Sequence, residues 1–216
     1  MKKTELLLVA ILMMMSITSC TVTIPMQSNL SDQLMLMGEN RNIYPNISLT
    51  SDQADGPINL VSAQKNGHET VSNSYYQYAS ETAFKNLWNS YFSAKFNSYS
   101  KDTINIKVHL KSLVLKQQLT TSIGGTMFTG NSKYNNEAAA VVQVSILYHG
   151  ENYETQFQVV ASGYNESQMN SYGNTYYTTN AANPTGQMAQ ILESALNKSI
   201  IHFENYLESV VTADQE

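Results

Sequence analysis

The last thirty or so residues limit the fold more than any other part of the chain. Met188, Ile191, Leu192, Ala195, Leu196, Ile200, Phe203, Tyr206, Leu207 and Val210 recur at three- and four-residue intervals. That spacing gathers them into one broad apolar stripe along a helix. Asn183 and Pro184, just ahead of the stripe, suit an N-cap and a first helical residue. A long helix with one apolar face must bury it against a second layer. Ala83, Phe84, Leu87, Trp88, Tyr91, Phe92 and Phe96 form another such stripe. It predicts a helix over Ser74–Asn97, with Ser74 and Gln77 spaced as a capping box.

Alternation supplies the second layer. Ile104, Ile106, Val108 and Leu110 alternate with Asn105, Lys107 and His109, while Leu113 and Leu115 continue on the other parity. One long strand over Thr103–Leu119 with a bulge near Lys111–Ser112 accounts for the slip, because a one-residue shift turns every side chain to the opposite face. Glu137–Tyr148 and Tyr153–Gly163 alternate as well and flank His149-Gly150-Glu151-Asn152, the layout of a β-hairpin. Residues 120–136 and 164–183 are rich in Gly, Asn, Ser and Tyr and are read as loops. Residues 21–73 read as an irregular leader, with either Ile58–Ala63 or Leu34–Met37 as a first strand. The sum is a two-layer α+β sandwich, a mostly antiparallel sheet of about four strands with two long amphipathic helices on one face.

Cys20, the single cysteine, ends the run Ile17-Thr18-Ser19-Cys20, and Lys2, Lys3 and an apolar stretch from Leu6 to Met15 precede it. A basic start, a short apolar core and small residues before a cut are the parts of a secretory signal peptide. The apolar stretch is shorter than the about 20 residues a membrane span needs. The cysteine after the small residues resembles a lipoprotein signal, which implies lipidation at Cys20. The organisation expected is therefore a signal peptide over 1–19, a lipidated tether and irregular leader over 20–57, and the α+β domain over 58–216. Losing Lys2, Lys3 and Glu5 moves the formal charge from −5 to −6, and Arg41 is the only arginine. A nucleic-acid footprint needs clustered Lys and Arg, so that partner class is excluded. With Cys20 lipidated no thiol remains for a disulfide or a cysteine-ligated metal.

The order of elements over Ser74–Val211 resembles small outer-membrane lipoproteins of the YajG-like type and, more distantly, the lipopolysaccharide-assembly lipoprotein LptE. The signal ending at Cys20, the aromatic helix, the strand Asn105-Ile106-Lys107-Val108-His109-Leu110, the hairpin turning at Gly150 and the C-terminal helix carry the resemblance. It implies a binding or assembly factor and transfers no catalytic residue.

Catalytic signals are sparse. His68, His109, His149 and His202 show no metal-ligand spacing such as H-E-x-x-H. Ser162-Gly163 lacks the preceding glycine of a nucleophile elbow. Asp52-Gln53-Ala54-Asp55-Gly56 breaks the calcium-loop pattern at Ala54. Tyr164, Tyr172, Tyr176, Tyr177 and Asn174 combine flat aromatic faces with an amide, a mixture suited to protein contacts because Tyr adds contact area at small entropic cost. The expectation is a non-enzymatic envelope lipoprotein without cofactor, held to the membrane through Cys20 and contacting an envelope protein through these loop residues. Thr21 in place of aspartate favours an outer-membrane address, and the lack of an acidic cluster after Cys20 favours the periplasmic face. A surface-exposed glycan-binding accessory is the alternative, and an envelope hydrolase a further one.

Overall fold

The structure is a computed structural model and describes residues 21–26, 28–36, 41–63, 69–97, 99–119, 134–162 and 184–213. Its elements run β1 (Val22–Thr23), α1 (Asp32–Leu36), β2 (Tyr44–Ser51), β3 (Gly56–Ala63), β4 (Glu69–Tyr78), α2 (Ser80–Lys95), β5 (Thr103–Leu119), β6 (Tyr134–Tyr148), β7 (Glu151–Ser162) and α3 (Pro184–Ala213).

β5 organises the sheet. Ile104, Ile106, Val108 and Leu110 are buried, and after a register shift between Leu110 and Ser112 the buried residues become Leu113 and Leu115. The bulge read from the parity slip is therefore present, and it keeps one face of this 17-residue strand apolar from Ile104 to Leu115. β6 pairs antiparallel with β5 and places Ala138, Ala140, Val142, Val144, Ile146 and Tyr148 on the same buried face. β7 completes the hairpin. His149 and Gly150 sit at φ 47° and 93°, the paired positive φ values of a two-residue type I′ turn, which matches the twist of the flanking strands. The turn is tighter than the four residues expected from sequence.

The other edge of β5 is shared. β2 runs parallel to its first half, Tyr44↔Thr103 to Ser51↔Leu110, and β3 runs parallel to its second half, Asn59↔Val114 to Ala63↔Gln118. β2 and β3 thus act as one strand interrupted by an excursion over residues 52–55. β4 pairs antiparallel with β3, and β1 lies parallel to β4 at Tyr76 and Gln77. The sheet has seven strands among the described residues and is mixed. The expectation of about four mostly antiparallel strands is corrected: residues read as an irregular leader supply β1, β2 and β3. Leu34 falls in the short helix α1, and Ile58–Ala63 is the part of the leader correctly read as strand. The helix expected from Ser74 also starts later. Ser74 and Gln77 belong to β4, and α2 begins at Ser80.

Both long helices cover one face, α3 over β6 and β7 and α2 over β2 beside it. Trp88 is fully buried at the helix–helix contact, with ring centroids 5.1 Å from Phe203, 5.8 Å from Phe92, 6.0 Å from Phe84 and 6.2 Å from Tyr91. Tilted and edge-on arrangements at such distances are the favourable ones for aromatic rings. No side chain caps the start of α2 from its own N-cap residue, Ala79. Asp55, on the excursion between β2 and β3, takes that role, accepting from Thr82 N–H at 3.0 Å and from the Thr82 hydroxyl at 2.5 Å. Burial pushes the Asp55 carboxyl up slightly, but these hydrogen bonds, with help from Lys85, hold it below the usual carboxylate value.

Candidate functional site

Two regions of the fold carry polar groups in organised arrangements: the N-terminal segment where it lies on the helices, and the outward face of the sheet. The first is built by α3. Glu193, Asn197 and Glu204 fall within about 40° of one another at 100° per residue, so they line one edge of its apolar stripe. All three are buried. Glu193 accepts from Ser28 N–H at 3.1 Å. Asn197 accepts from Ser31 N–H at 2.9 Å and donates to the Asn29 carbonyl at 3.2 Å and to the Glu193 carbonyl at 2.9 Å. Glu204 meets Arg41 at 2.7 Å and also accepts from the Tyr91 hydroxyl. From α2, the buried Lys95 donates to the Met35 carbonyl at 3.2 Å.

The segment from Ser28 to Arg41 is therefore held by backbone-directed hydrogen bonds and one ion pair. The Glu204 side chain is 3% exposed and that of Arg41 14%, a burial that is tolerable only because each charge is paired and hydrogen-bonded. Arg41 also lies 5.9 Å from the centroid of Phe96. Burial, reinforced by the Glu204 carboxylate, pushes the Tyr91 phenol far above its usual range, so Tyr91 stays a donor at all ordinary pH. Upstream, Ile24 N–H donates to the Gln77 carbonyl at 2.8 Å and Val22 is already in the sheet. The chain enters the fold two residues after Cys20. A shallow cavity of about 400 Å³ lies between this segment and α3, lined by Asn29, Ser31, Asp32, Glu193, Asn197 and Lys198 among others.

The outward face of the sheet is polar. Asn46 donates to Asn105 at 2.9 Å, and Lys111 donates to Gln156 at 2.9 Å. Between them the His109 ring lies 2.9 Å from the Thr50 hydroxyl through Nδ1 and 3.1 Å from the Asp52 carboxylate through Nε2. With the proton on Nε2 toward Asp52, Nδ1 accepts from Thr50, the hydroxyl–imidazole–carboxylate order that activates a nucleophile. The trio stands in the open, the Asp52 side chain being 64% exposed. At the strand ends, Asp102 receives the Tyr148 hydroxyl at 3.0 Å and lies 3.3 Å from His149, whose ring stacks on Tyr148 at 4.0 Å.

Residues singled out from sequence are only partly placed. Cys20, Tyr164, Tyr172, Tyr176, Tyr177 and Asn174 lie outside the described residues, as do His68 and nearly all of the two candidate contact loops. His109 and His149 lie on or beside the polar face, each with an aspartate. His202 packs 5.9 Å from Phe157 across α3 and β7. No group of three His, Cys, Asp or Glu side chains fit to hold a metal occurs among the described residues, and no described helix is long and apolar enough to cross a membrane. The clamp on the N-terminal segment was missed by sequence reasoning. Its signal was present, in polar residues at i, i+4 and i+11 beside an otherwise apolar helical stripe.

No family model matches the chain, and no curated protein matches it significantly. Among solved structures it is similar to protein XCC0632 from Xanthomonas campestris, of the DUF330 family, at 10% identity over 90% of this chain and 97% of that one, with a TM-score of 0.46. An uncharacterised protein matches at 10% identity over 87% of this chain and 99% of that one, with a TM-score of 0.43. The rare lipoprotein B from Shewanella oneidensis matches at 12% identity over 69% of this chain and 98% of that one, with a TM-score of 0.26. At these scores the likenesses assign neither a family nor an activity.

Proposed function

We propose that the protein is a lipid-anchored lipoprotein of the cell envelope that acts without catalysis as a binding or assembly accessory. The observation that carries this reading is Cys20 at the end of a signal-type segment, two residues before the chain joins the sheet at Val22. With no slack between anchor and fold, lipidation at Cys20 holds the domain against the membrane, where a weak contact with an envelope protein gains from high effective concentration. Stable anchoring needs more than one acyl chain, as a fully processed lipoprotein N-terminus provides. Thr21 favours the outer membrane in a two-membrane host, with the domain in the periplasm. The resemblance to YajG-like and LptE-like lipoproteins belongs to the same reading, and Tyr164, Tyr172, Tyr176, Tyr177 and Asn174 remain its proposed contact residues. Metabolic labelling with palmitate, followed by membrane fractionation, tests it: label and membrane association should both vanish in Cys20→Ala. A wild-type chain that takes no label and stays in the soluble fraction would refute it.

A second reading is favoured by one observation, the Thr50–His109–Asp52 order on the sheet face. It makes the protein an envelope hydrolase with Thr50 as nucleophile. Hydrolysis of p-nitrophenyl esters that is lost in both Thr50→Ala and His109→Ala would support it. Equal rates in wild type and variants would dismiss it.

A further inference from the structure

Among the described residues the lane beside β2 is a strand-shaped gap in the sheet. β2 and β3 share one edge of β5, yet β4 covers β3 alone. Tyr44 N–H donates to the Asp102 carbonyl and Asp52 N–H to the Leu110 carbonyl, both in the β5 direction. In a parallel ladder residues of one parity bond to the neighbour. Tyr44, Asn46, Ser48 and Thr50 therefore face β5 with their backbone groups. The groups of Ile47 and Leu49, and the carbonyl of Pro45, point the other way into the lane. The side chains of Ile47 and Leu49 share the core face with Ile106 and Val108 but are only half-buried. Ile47, with Tyr44 and Pro45, opens on a groove of about 270 Å³ walled by Asn89, Phe92 and Ser93 of α2 and by Phe96 at its end.

The sheet's edges are treated differently. β7 carries Glu151 and Glu154, and Lys198 donates to its Val160 carbonyl at 2.9 Å. Charges and covering side chains are the usual means of blocking an edge. β2, with the sequence Tyr-Pro-Asn-Ile-Ser-Leu-Thr-Ser, has no charged residue, and Pro45 removes only the first outward N–H.

We propose that this lane receives an extended peptide segment of a partner protein, added to β2 as a further strand. Pro45 C=O together with the N–H and C=O groups of Ile47 and Leu49 gives five backbone hydrogen bonds to such a segment. Residues opposite Ile47 and Leu49 lie on the helix side, against Phe92 and Phe96, and must be apolar. Those between them face the polar side with Asn46, Ser48 and Thr50. The segment is thus short, uncharged and alternating apolar and polar. A second copy of the chain fits less well, because α2 packs over β2 and a partner's own α2 would meet it at the same place. This inference names a partner class for the binding role proposed above. It does not depend on Cys20, so the two can fail separately.

The test uses the full chain in detergent and the hexapeptide Val-Asn-Val-Ser-Val-Asn, with fluorescein on its N-terminus and an amidated C-terminus. Anisotropy should saturate with a Kd of ~100 µM, the range for a few backbone bonds and two or three apolar anchors. A peptide with Asp for each Val should bind at least about tenfold more weakly, as should Ile47→Lys, whose fold is checked by circular dichroism. In wild type, peptide should slow amide exchange at Ile47 and Leu49, while Asn46 and Ser48, already bonded to β5, stay unchanged. Absence of saturation at ~1 mM protein, or of added protection at Ile47 and Leu49, overturns the proposal. A dimer in light scattering with those amides protected before peptide is added also overturns it, in favour of a second copy.

Discussion

Replacing Arg41 with methionine should be among the more damaging single changes on the helical side of the molecule, although it removes a residue from what reads as a leader. The Arg41 guanidinium sits 2.7 Å from a Glu204 carboxylate whose side chain is 3% exposed. Without it, Glu204 keeps the Tyr91 hydroxyl but loses its only ion-pair partner among the described residues. Breaking one side of a buried ion pair costs about 3–5 kcal/mol. The 14% exposure of Arg41 lets some water in and argues for the lower end, about 3 kcal/mol, to which the lost Phe96 contact adds ~0.5 kcal/mol. Methionine keeps most of the aliphatic volume, so the loss reports on the charge and not on a cavity. Urea denaturation followed by the fluorescence of Trp88, the single tryptophan, measures it. With an m-value of about 2 kcal/mol/M the midpoint should fall by ~1.8 M. Adding Glu204→Leu to Arg41→Met should recover most of that, because the orphaned charge is then gone. A single variant within ~1 kcal/mol of wild type, or a double variant no better than the single, would refute the claim that this pair holds the segment down.

Three further outcomes are expected. Asp55→Ala should cost about 1 kcal/mol at pH 7, the usual worth of a helix N-cap. Because folding lowers the Asp55 pKa below its ordinary 3.8, its contribution is full above that value and is lost as pH falls through the folded pKa. Thermal melts of wild type and variant should therefore converge in acid, and a gap that persists there would contradict the capping role. Trp88→Phe should cost only about 1–2 kcal/mol, a volume effect alone, since the buried indole N–H has no hydrogen-bond partner among the described residues. A loss above ~4 kcal/mol in chemical denaturation would reveal a polar contact at that nitrogen. Gly150→Ala should destabilise by ~1 kcal/mol through its φ of +93° alone, because an added Cβ meets nothing within 4 Å. An unchanged melting temperature would mean the hairpin turn rearranges.

What could be read from the sequence was whatever is written in apolar periodicity. The stripes of α2 and α3, the parity slip in β5 and the β6–β7 hairpin all appear as expected, because each depends on a run of large side chains facing one core. β2 was missed because only Ile47 and Leu49 alternate cleanly, between Asn46, Ser48 and Thr50 and after Pro45. An edge strand needs fewer apolar residues than a central one, and its signal is correspondingly short. The start of α2 was misplaced because Ser74 and Gln77 satisfy a local capping pattern, whereas the cap in the structure is Asp55, 27 residues upstream of Thr82. The clamp on the N-terminal segment was missed for a similar reason: Glu193, Asn197 and Glu204 look like a solvated edge of a helix until the backbone they bind is placed beside them.

That clamp also sets an order of events for a chain made from its N-terminus. Ser28, Ser31 and Arg41 find their partners 165, 166 and 163 residues later, in the last helix to be synthesised. Until α3 arrives, the stretch around Ser28 and Ser31 lacks the side chains that bind its backbone, and contacts that close so long a loop form slowly. A ribosome- or translocon-bound chain would thus hold this stretch open to protease until α3 is made. A chain truncated before residue 193 should stay cleavable around Ser28 and Ser31, which makes the docking of α3 the step that closes this side of the molecule.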